Sequence, residues 1–324
     1  MPACPGGFVS LGRYVGRKLL ELIPALLLVS VLVFTLVHLT PGDPITTMLG
    51  PYASQQLIDA TRAQYELDRP LPVQYFRWLG RVVQGDLGRS IQTREPVATM
   101  IWDRLGVTVS LALWATVFSC LISVPAGVAA AVLRDRPLDT ATIGITSLFL
   151  SIPDFVAATA LVLLGGVVLR VLPMVGYVSL FKDPLEFVRH MVMPGTALGL
   201  IYLALLSRMV RSSMLDVLTT DYIRTARAKG LGERVVVLTH GLRNALIPSV
   251  TLVVMNFANM LGGTIVIEEI FALPGLGRLI VRGVLTRDFP VIQGATLFVG
   301  GGFILSSLVT DVFLALIDPR IRHR

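Results

Sequence analysis

The chain has 324 residues, of which 54% are hydrophobic and only 15% are charged, and its mean hydropathy is +0.74. Because soluble globular domains carry about 25% charged residues, this composition excludes an ordinary soluble protein. Lys and Arg outnumber Asp and Glu by 28 to 21, and their distribution along the chain indicates an orientation in a membrane.

The first apolar run, Leu19–Leu39, follows Arg13, Arg17 and Lys18 and therefore looks like the start of a signal peptide. The run is longer than the hydrophobic region of a signal peptide, which has about 7–15 residues. No small-residue cleavage site follows it. We therefore expect an uncleaved first membrane span.

Further apolar runs predict an all-α polytopic membrane protein, since a bilayer core of about 30 Å requires about 20 helical residues. The strict alternation of a transmembrane barrel is absent. Six transmembrane helices are predicted: Leu19–Leu39, Val107–Leu133, Ala141–Leu164, Met191–Met209, Ala245–Ile267 and Val291–Ile317. Five or seven spans would instead place the two tails on opposite sides of the membrane.

Basic residues indicate how the six spans are oriented. The two tails are residues 1–18 and 318–324. The side of the membrane on which they lie, with the loops on that side, carries 15 of the 28 Lys and Arg. The other side carries 6 when the segment Thr40–Gly106 is set aside, because loops longer than about 60 residues are largely exempt from the positive-inside rule. We therefore expect both the N-terminus and the C-terminus to be cytoplasmic.

The long segment Thr40–Gly106 is predicted to form a small external domain between the first and second spans. It contains an amphipathic stretch from Ser54 to Tyr65 and several aromatic residues. Pro70 and Pro72 divide it into two pieces. The remaining spans, from 107 to 317, form the predicted membrane core.

A basic segment, Asp221–Gly230, lies in the cytoplasmic loop predicted at 210–244. Thr220 and Asp221 can cap a helix, basic residues suit its last turn, and Gly230 can end it in a left-handed conformation. A second amphipathic helix is expected at Glu233–Leu242, before Pro248 enters the fifth span. One interpretation is an ordinary basic loop held at anionic lipid headgroups. The other is a helix that fits into a groove of a soluble partner. Small alanine side chains and a glycine at the end of the helix suit such a fit.

Seven segments together resemble one family of membrane proteins. They are LTPGDP (Leu39–Pro44), GDLGRSIQTREPV (Gly85–Val97), DYIRTARAKG (Asp221–Gly230), LRNALIP (Leu242–Pro248), GGTIVIEEIFALPGLGRL (Gly262–Leu279), RDFPVIQG (Arg287–Gly294) and DPRIR (Asp318–Arg322). In this order they resemble the B-type permease subunit of ATP-binding cassette (ABC) importers for dipeptides, oligopeptides, glutathione and nickel. The loop departs from the general motif, since Arg224-Thr225-Ala226 stands where Glu-Ala-Ala is usual.

The resemblance implies a type I ABC importer permease fold in the bacterial cytoplasmic (inner) membrane. It implies a second homologous permease subunit, two ABC ATPase subunits that carry ATP and Mg²⁺, an extracytoplasmic substrate-binding protein and a peptide substrate. No cofactor in this chain and no nucleic-acid partner are expected. The residues that would couple to the ATPase are Asp221, Tyr222, Arg224, Thr225, Ala226, Arg227, Ala228, Lys229, Gly230 and Leu231.

Polar residues inside the predicted spans are candidates for the solute pathway, because polar groups in lipid are costly and face a cavity or a partner. These candidates are Asp154, Asn256, Asn259 and Glu268, and hydrogen bonding between helices is the alternative for each. For Asp311, hydrogen bonding between helices or contact with lipid headgroups is expected and not a pathway role. The external residues Pro274, Gly275, Leu276 and Gly277 are expected either to contact the binding protein or to form a re-entrant turn.

Enzymatic chemistry is not indicated by the sequence. Nucleotide-binding Walker motifs and a Gly-x-Ser-x-Gly elbow are absent, so the chain is not expected to hydrolyse ATP itself. The two cysteines, Cys4 and Cys120, form no metal-binding pattern, and no metal site is predicted. The alternatives that stay open are a nickel-chelate permease of the same family and a stand-alone channel or secondary transporter.

Overall fold

The computed structural model describes residues 11–39, 44–50, 52–64 and 66–317, and every regular element in that part of the chain is helical. In chain order the helices are α1 (Leu11–Leu39), α2 (Pro44–Leu49), α3 (Gln55–Gln64), α4 (Leu71–Val83), α5 (Val97–Val132), α6 (Pro137–Ser151), α7 (Asp154–Leu161), α8 (Pro184–Leu218), α9 (Asp221–Ala228), α10 (Glu233–Val235), α11 (Leu242–Ile270), α12 (Leu276–Thr286) and α13 (Phe289–Ile317). This agrees with the predicted all-α polytopic architecture.

Five helical stretches of the described chain are long and apolar enough to cross a membrane: Gly16–Leu39, Val97–Val132, Pro184–Leu218, Glu233–Ile270 and Phe289–Val312. A sixth crossing is reached only if the bent pair formed by α6 and α7 is one broken span. The protein is therefore a multi-pass membrane protein, with five or six candidate crossings among the described residues.

The third predicted span, Ala141–Leu164, is not one straight helix. The stretches Pro137–Ser151 and Asp154–Val168 meet at an angle of 100°. Ile152 is extended there (φ −96°, ψ 117°), because Pro153 disfavours the helical conformation of the residue before it. After α7 the chain continues as a π-helical turn, Val162–Val168.

Two other spans are longer than their apolar runs suggested. Helix α5 begins at Val97 and not near Val107, because the charged residues Asp103 and Arg104 lower the hydropathy of a stretch that is helical all the same. Helix α8 begins at Pro184, where the Asp183 carboxylate accepts hydrogen bonds from the backbone N–H groups of Leu185 and Glu186 at 3.0 and 3.1 Å. A carboxylate in this position satisfies two of the otherwise unpaired N–H groups of the first turn.

The chain divides into two compact units, with one boundary after Val107, next to the predicted division at Gly106, and a second after Leu273. The first unit, here called the terminal unit, contains residues up to Val107 and from Pro274 onward. In it α1 packs along α13, and Lys18 Nζ lies 3.0 Å from Asp311 Oδ2. Asp311 thus joins two helices, which agrees with one of the two roles expected for it. The helices α2–α4 belong to this unit and do not form a unit of their own.

The second unit, the central unit, is Thr108–Leu273 and is built around α8. In the apolar 18-residue stretch of α8, 61% of the residues are buried inside the protein, against 22–33% in the corresponding stretches of the other straight spans described. Helices α6, α7 and α11 pack against it. Close approach to α5 depends on glycine: a Cβ on Gly127 would lie 2.7 Å from the Ser207 carbonyl oxygen, and one on Gly195 would overlap the Trp114 indole.

Candidate functional site

Helix α9 corresponds to the basic segment singled out in the sequence. It begins at Asp221, as predicted, and Thr220 occupies the N-cap position. The Thr220 hydroxyl donates to the Val217 carbonyl at 2.6 Å and so provides no side-chain cap bond to the helix. Ile223 and Ala226 are buried against Val236, and this small apolar cluster holds α9 against the rest of the central unit.

Gly230 ends the helix as predicted. Its φ of +80° is in the left-handed region, which glycine adopts without steric cost. The backbone N–H of Gly230 bonds to the Arg227 carbonyl at 2.9 Å, and that of Leu231 to the Ala226 carbonyl at 3.4 Å. This pair of bonds is the Schellman pattern of helix ends. A Cβ at Gly230 would meet no atom within 4 Å, so only backbone conformation restricts the residue.

The predicted second helix, Glu233–Leu242, does not end before the fifth span. Helix α10 passes through a π-helical turn, Val236–Gly241, directly into α11, and Pro248 lies inside that helix. The whole stretch Glu233–Ile270 is one continuous helical run.

Two side-chain contacts fasten α9 to this run. Arg227 forms a two-bonded ion pair with Glu233, with N–O distances of 2.6 and 3.1 Å, and the hydrogen bond to Glu233 raises the pKa of Arg227 above its ordinary value. On the other side, Asn244 Nδ2 donates to the Tyr222 hydroxyl at 2.8 Å. Asn244 thus positions α9, a role that its place near the start of the fifth span did not suggest.

The remaining surface of α9 is open. Of the two alanines in α9, Ala226 is buried and Ala228, the last residue of the helix, is exposed. Arg224 and Asp221 pair with each other at 3.1 Å on the surface, with 71% and 94% of their side chains exposed. The exposed members of the predicted coupling set are Asp221, Tyr222, Arg224, Thr225, Arg227, Ala228, Lys229, Gly230 and Leu231. This face combines small, polar and basic side chains on a helix held at both ends.

The four pathway candidates lie in different surroundings. Glu268 is completely buried, and the Thr108 hydroxyl donates to its carboxylate at 2.6 Å. Asn256 is 8% exposed and lines a cavity of only about 10 Å³ between α5, α8 and α11. Asn259 is exposed on the surface of this chain, and Asp154 is half-buried at the start of α7. Asn256 and Asn259 therefore do not share one environment, although they are three residues apart.

Comparison with known proteins agrees with the resemblance noted in the sequence. The family described as "Binding-protein-dependent transport system inner membrane component" matches residues 123–323, and its N-terminal counterpart matches residues 11–112. The chain belongs to this family. Members are permease subunits of ABC importers, which in general work with a partner permease, ATPase subunits and a binding protein, and the ATPase resides on the partner subunits.

The permease is similar to several curated proteins over most of its length. It is 41% identical over 307 residues to a protein of Brucella abortus (strain 2308) that is named provisionally as a peptide transport system permease, covering 95% of this chain and 98% of the relative. It is 44% identical over 312 residues to the glutathione transport system permease protein GsiC of Escherichia coli (strain K12), covering 96% and 99%.

The predicted binding-protein contact of the permease is only partly accessible. Pro274 is exposed, whereas Gly275 and Gly277 are buried and Leu276 is 2% exposed in an apolar cluster with α5 and α13. Helix α12 begins at Leu276, so these residues do not form an open flexible loop. Their contact with a binding protein stays a prediction.

Two polar contacts of the permease were missed by sequence reasoning. Arg211 of α8 binds Asp139 of α6, and Asp288 accepts hydrogen bonds from the Ser90 hydroxyl and from the backbone N–H of Ile91 and Gln92. The second contact joins two of the resembling segments, GDLGRSIQTREPV and RDFPVIQG. Partners separated by 72 and about 197 positions leave no local sequence signal.

Proposed function

We propose that this permease forms, together with a second homologous permease subunit, the transmembrane pathway of an ATP-driven importer for short peptides, glutathione among them. The names of the relatives, peptide and glutathione transport permeases at 41% and 44% identity over nearly the whole chain, support this substrate class. The complex lies in the bacterial cytoplasmic membrane, with both tails and α9 on the cytoplasmic side. An extracytoplasmic binding protein delivers the peptide on the other side.

Coupling to ATP takes place through α9. Two ABC ATPase subunits bind ATP and Mg²⁺ and receive the exposed face of α9 in a surface groove. The supporting observation is the way α9 is held: Ile223 and Ala226 anchor its inner face, Arg227 and Tyr222 fasten its two sides, and the outer face is free. A movement of the ATPase is then carried from α9 into the continuous helical run Glu233–Ile270.

The solute pathway is formed by surfaces that this chain leaves exposed. Asn259 and Asp154 are accessible and suit this role, whereas Asn256 and Glu268 are buried within the central unit and act from inside it by positioning helices. A pathway between two permeases requires polar side chains on the surface that each subunit presents to the other.

Uptake by the reconstituted complex tests the proposal. Proteoliposomes that contain both permeases and the ATPases, supplied with the binding protein and ATP, should accumulate a labelled dipeptide, tripeptide or glutathione. Accumulation should stop when ATP is replaced by a non-hydrolysable analogue. Solute flux through this chain alone, without ATP or ATPase subunits, would instead favour a stand-alone channel.

A further inference from the structure

A half-enclosed cavity of about 260 Å³ lies within the terminal unit. Its walls come from α1, α4, the loop between α4 and α5, and the first turn of α13. Small-molecule sites commonly have volumes of about 300–1,000 Å³, so this cavity is slightly smaller than that range. None of the four pathway candidates lines it.

Two buried polar side chains of the lining have no hydrogen-bond partner in the part of the chain that the structure describes. They are the Trp78 indole and the Gln293 amide, which are 7% and 6% exposed. The neighbouring Gln74 shows the usual behaviour of a buried amide: its Nε2 donates to the Arg69 carbonyl at 2.6 Å, and its Oε1 lies 3.2 Å from His38 Nε2. Because buried polar groups are nearly always paired, Trp78 and Gln293 offer hydrogen-bonding groups to a molecule bound in this half-open cavity.

The charges of the lining are balanced. Arg81 and Arg89 contribute two positive charges, and Glu66 and Asp86 contribute two negative ones, although Arg77, outside the lining, already binds one oxygen of Glu66. The Arg81 guanidinium approaches Glu66 only at 3.9 Å, and Arg89 donates to a backbone carbonyl at 3.4 Å, so both keep donors for another acceptor. A bare anion would be repelled by the two carboxylates and a bare cation by the two guanidinium groups. A molecule that carries one positive and one negative charge can pair with both the carboxylates and the guanidinium groups.

Aromatic rings supply the apolar part of the cavity. Phe34, Trp78 and Phe289 line it, and these surfaces favour an apolar side chain on the ligand. With the volume and the balanced charges, this lining selects a small zwitterion with a hydrophobic group.

We propose that this cavity binds a free amino acid or a dipeptide with an apolar side chain, at a site separate from the solute pathway. The arginines bind its carboxylate, the acidic residues bind its ammonium group, and Gln293 bonds to its polar backbone atoms. The residues that would contact the ligand are Phe34, Glu66, Trp78, Arg81, Arg89 and Gln293. The proposal does not depend on which solute the importer carries.

Equilibrium dialysis of the purified complex, without binding protein, tests this site. Radiolabelled L-phenylalanine and Gly-Phe are the probes, and N-acetyl-phenylalaninamide and inorganic phosphate are the competitors that lack one or both charges. We expect saturable binding that neither competitor displaces. Gln293→Met and Arg81→Gln should each weaken it by at least about tenfold, whereas Arg69→Gln, an exposed arginine outside the lining, should not.

Three results would overturn the proposal: no saturable binding by the wild-type complex, wild-type affinity in both cavity variants, or equal competition by the uncharged analogue. If Gln293→Met fails to assemble, Arg81→Gln still decides, because 53% of the Arg81 side chain is exposed and its loss leaves the packing intact. Uptake assays on the same complex distinguish a ligand that the importer also carries from a solute that it binds but does not carry. A bound zwitterion that is also imported is cargo held at a second site, and one that is not imported is a separate solute.

Discussion

The Arg211 guanidinium binds the Asp139 carboxylate through two hydrogen bonds of 2.6 and 2.8 Å, and only 3% of the Asp139 side chain is exposed. The contact joins the first turn of α6 to α8, ten residues before α9 begins. The backbone N–H of Asp135 adds a third bond to the same carboxylate at 3.1 Å.

Loss of one partner of this pair should destabilise the permease more than loss of both. Arg211→Met leaves a buried carboxylate without its cation, which costs more than the pair itself contributes. We expect a clearly lower midpoint of thermal unfolding of the purified complex for Arg211→Met, and partial recovery in Arg211→Met/Asp139→Asn. A double variant less stable than either single variant would contradict this account of the pair.

The end of α9 should depend on the backbone at position 230 alone. Gly230→Val forces a β-branched residue into a left-handed conformation, at a cost of about 1–2 kcal/mol, whereas Gly230→Asn is tolerated there. Since no atom lies within 4 Å of an added Cβ, the two variants differ mainly in backbone strain. We expect Gly230→Val to retain its ATPase subunits less well in co-purification and Gly230→Asn to retain them normally. Equal retention by both would show that the glycine stop does not matter for docking.

The hydroxyl of Tyr222 should hold α9 against α11. Tyr222→Phe keeps the ring but removes the bond from Asn244 and the longer one, of 3.5 Å, to the His240 carbonyl, and each bond contributes about 0.5–1.5 kcal/mol. Amide hydrogen exchange of residues 224–228 should become faster in the assembled transporter. Tyr52→Phe is the matched control, because Tyr52 is 98% exposed. Unchanged exchange in Tyr222→Phe would remove these bonds from the account of how α9 is held.

The Asp288 carboxylate should fix the loop between α4 and α5. Asp288→Asn replaces one accepting oxygen with a donor, so the bonds from Ser90, Ile91 and Gln92 cannot all persist. We expect faster limited proteolysis between residues 84 and 96. Asp59→Asn, whose side chain is 60% exposed, serves as the control. Protection equal to that of the wild type would mean that packing alone fixes the loop.

Local patterns predicted most helices because their causes are local. Apolar runs of about 20 residues, the Asp221 start and the Gly230 stop of α9 are visible in the sequence itself. The run Ala141–Leu164 predicted a single span, and the 100° angle between its two halves at Pro153 could not be derived from it. The apolar runs also missed the first ten residues of α5, where Asp103 and Arg104 interrupt the hydropathy but not the helix.

The candidate site was predictable only where its features depend on the local sequence. The helix and its stop were read correctly, whereas the inward orientation of Ala226 depends on its packing against Val236. Asn256 and Asn259 are three residues apart, yet they lie on either side of the boundary between the buried and exposed surfaces of α11. The pairs Arg211–Asp139 and Asp288–Ser90 are tertiary contacts that no local pattern specifies.

Photo-crosslinking from α9 tests the central claim most directly. Benzoylphenylalanine at Ala228, which is exposed, would be introduced into the assembled transporter, with Gln55 of α3 as the matched exposed control. The account predicts a covalent adduct between the permease and an ATPase subunit from position 228, and none from position 55. An intact complex that gives no ATPase adduct from position 228 would contradict docking through α9.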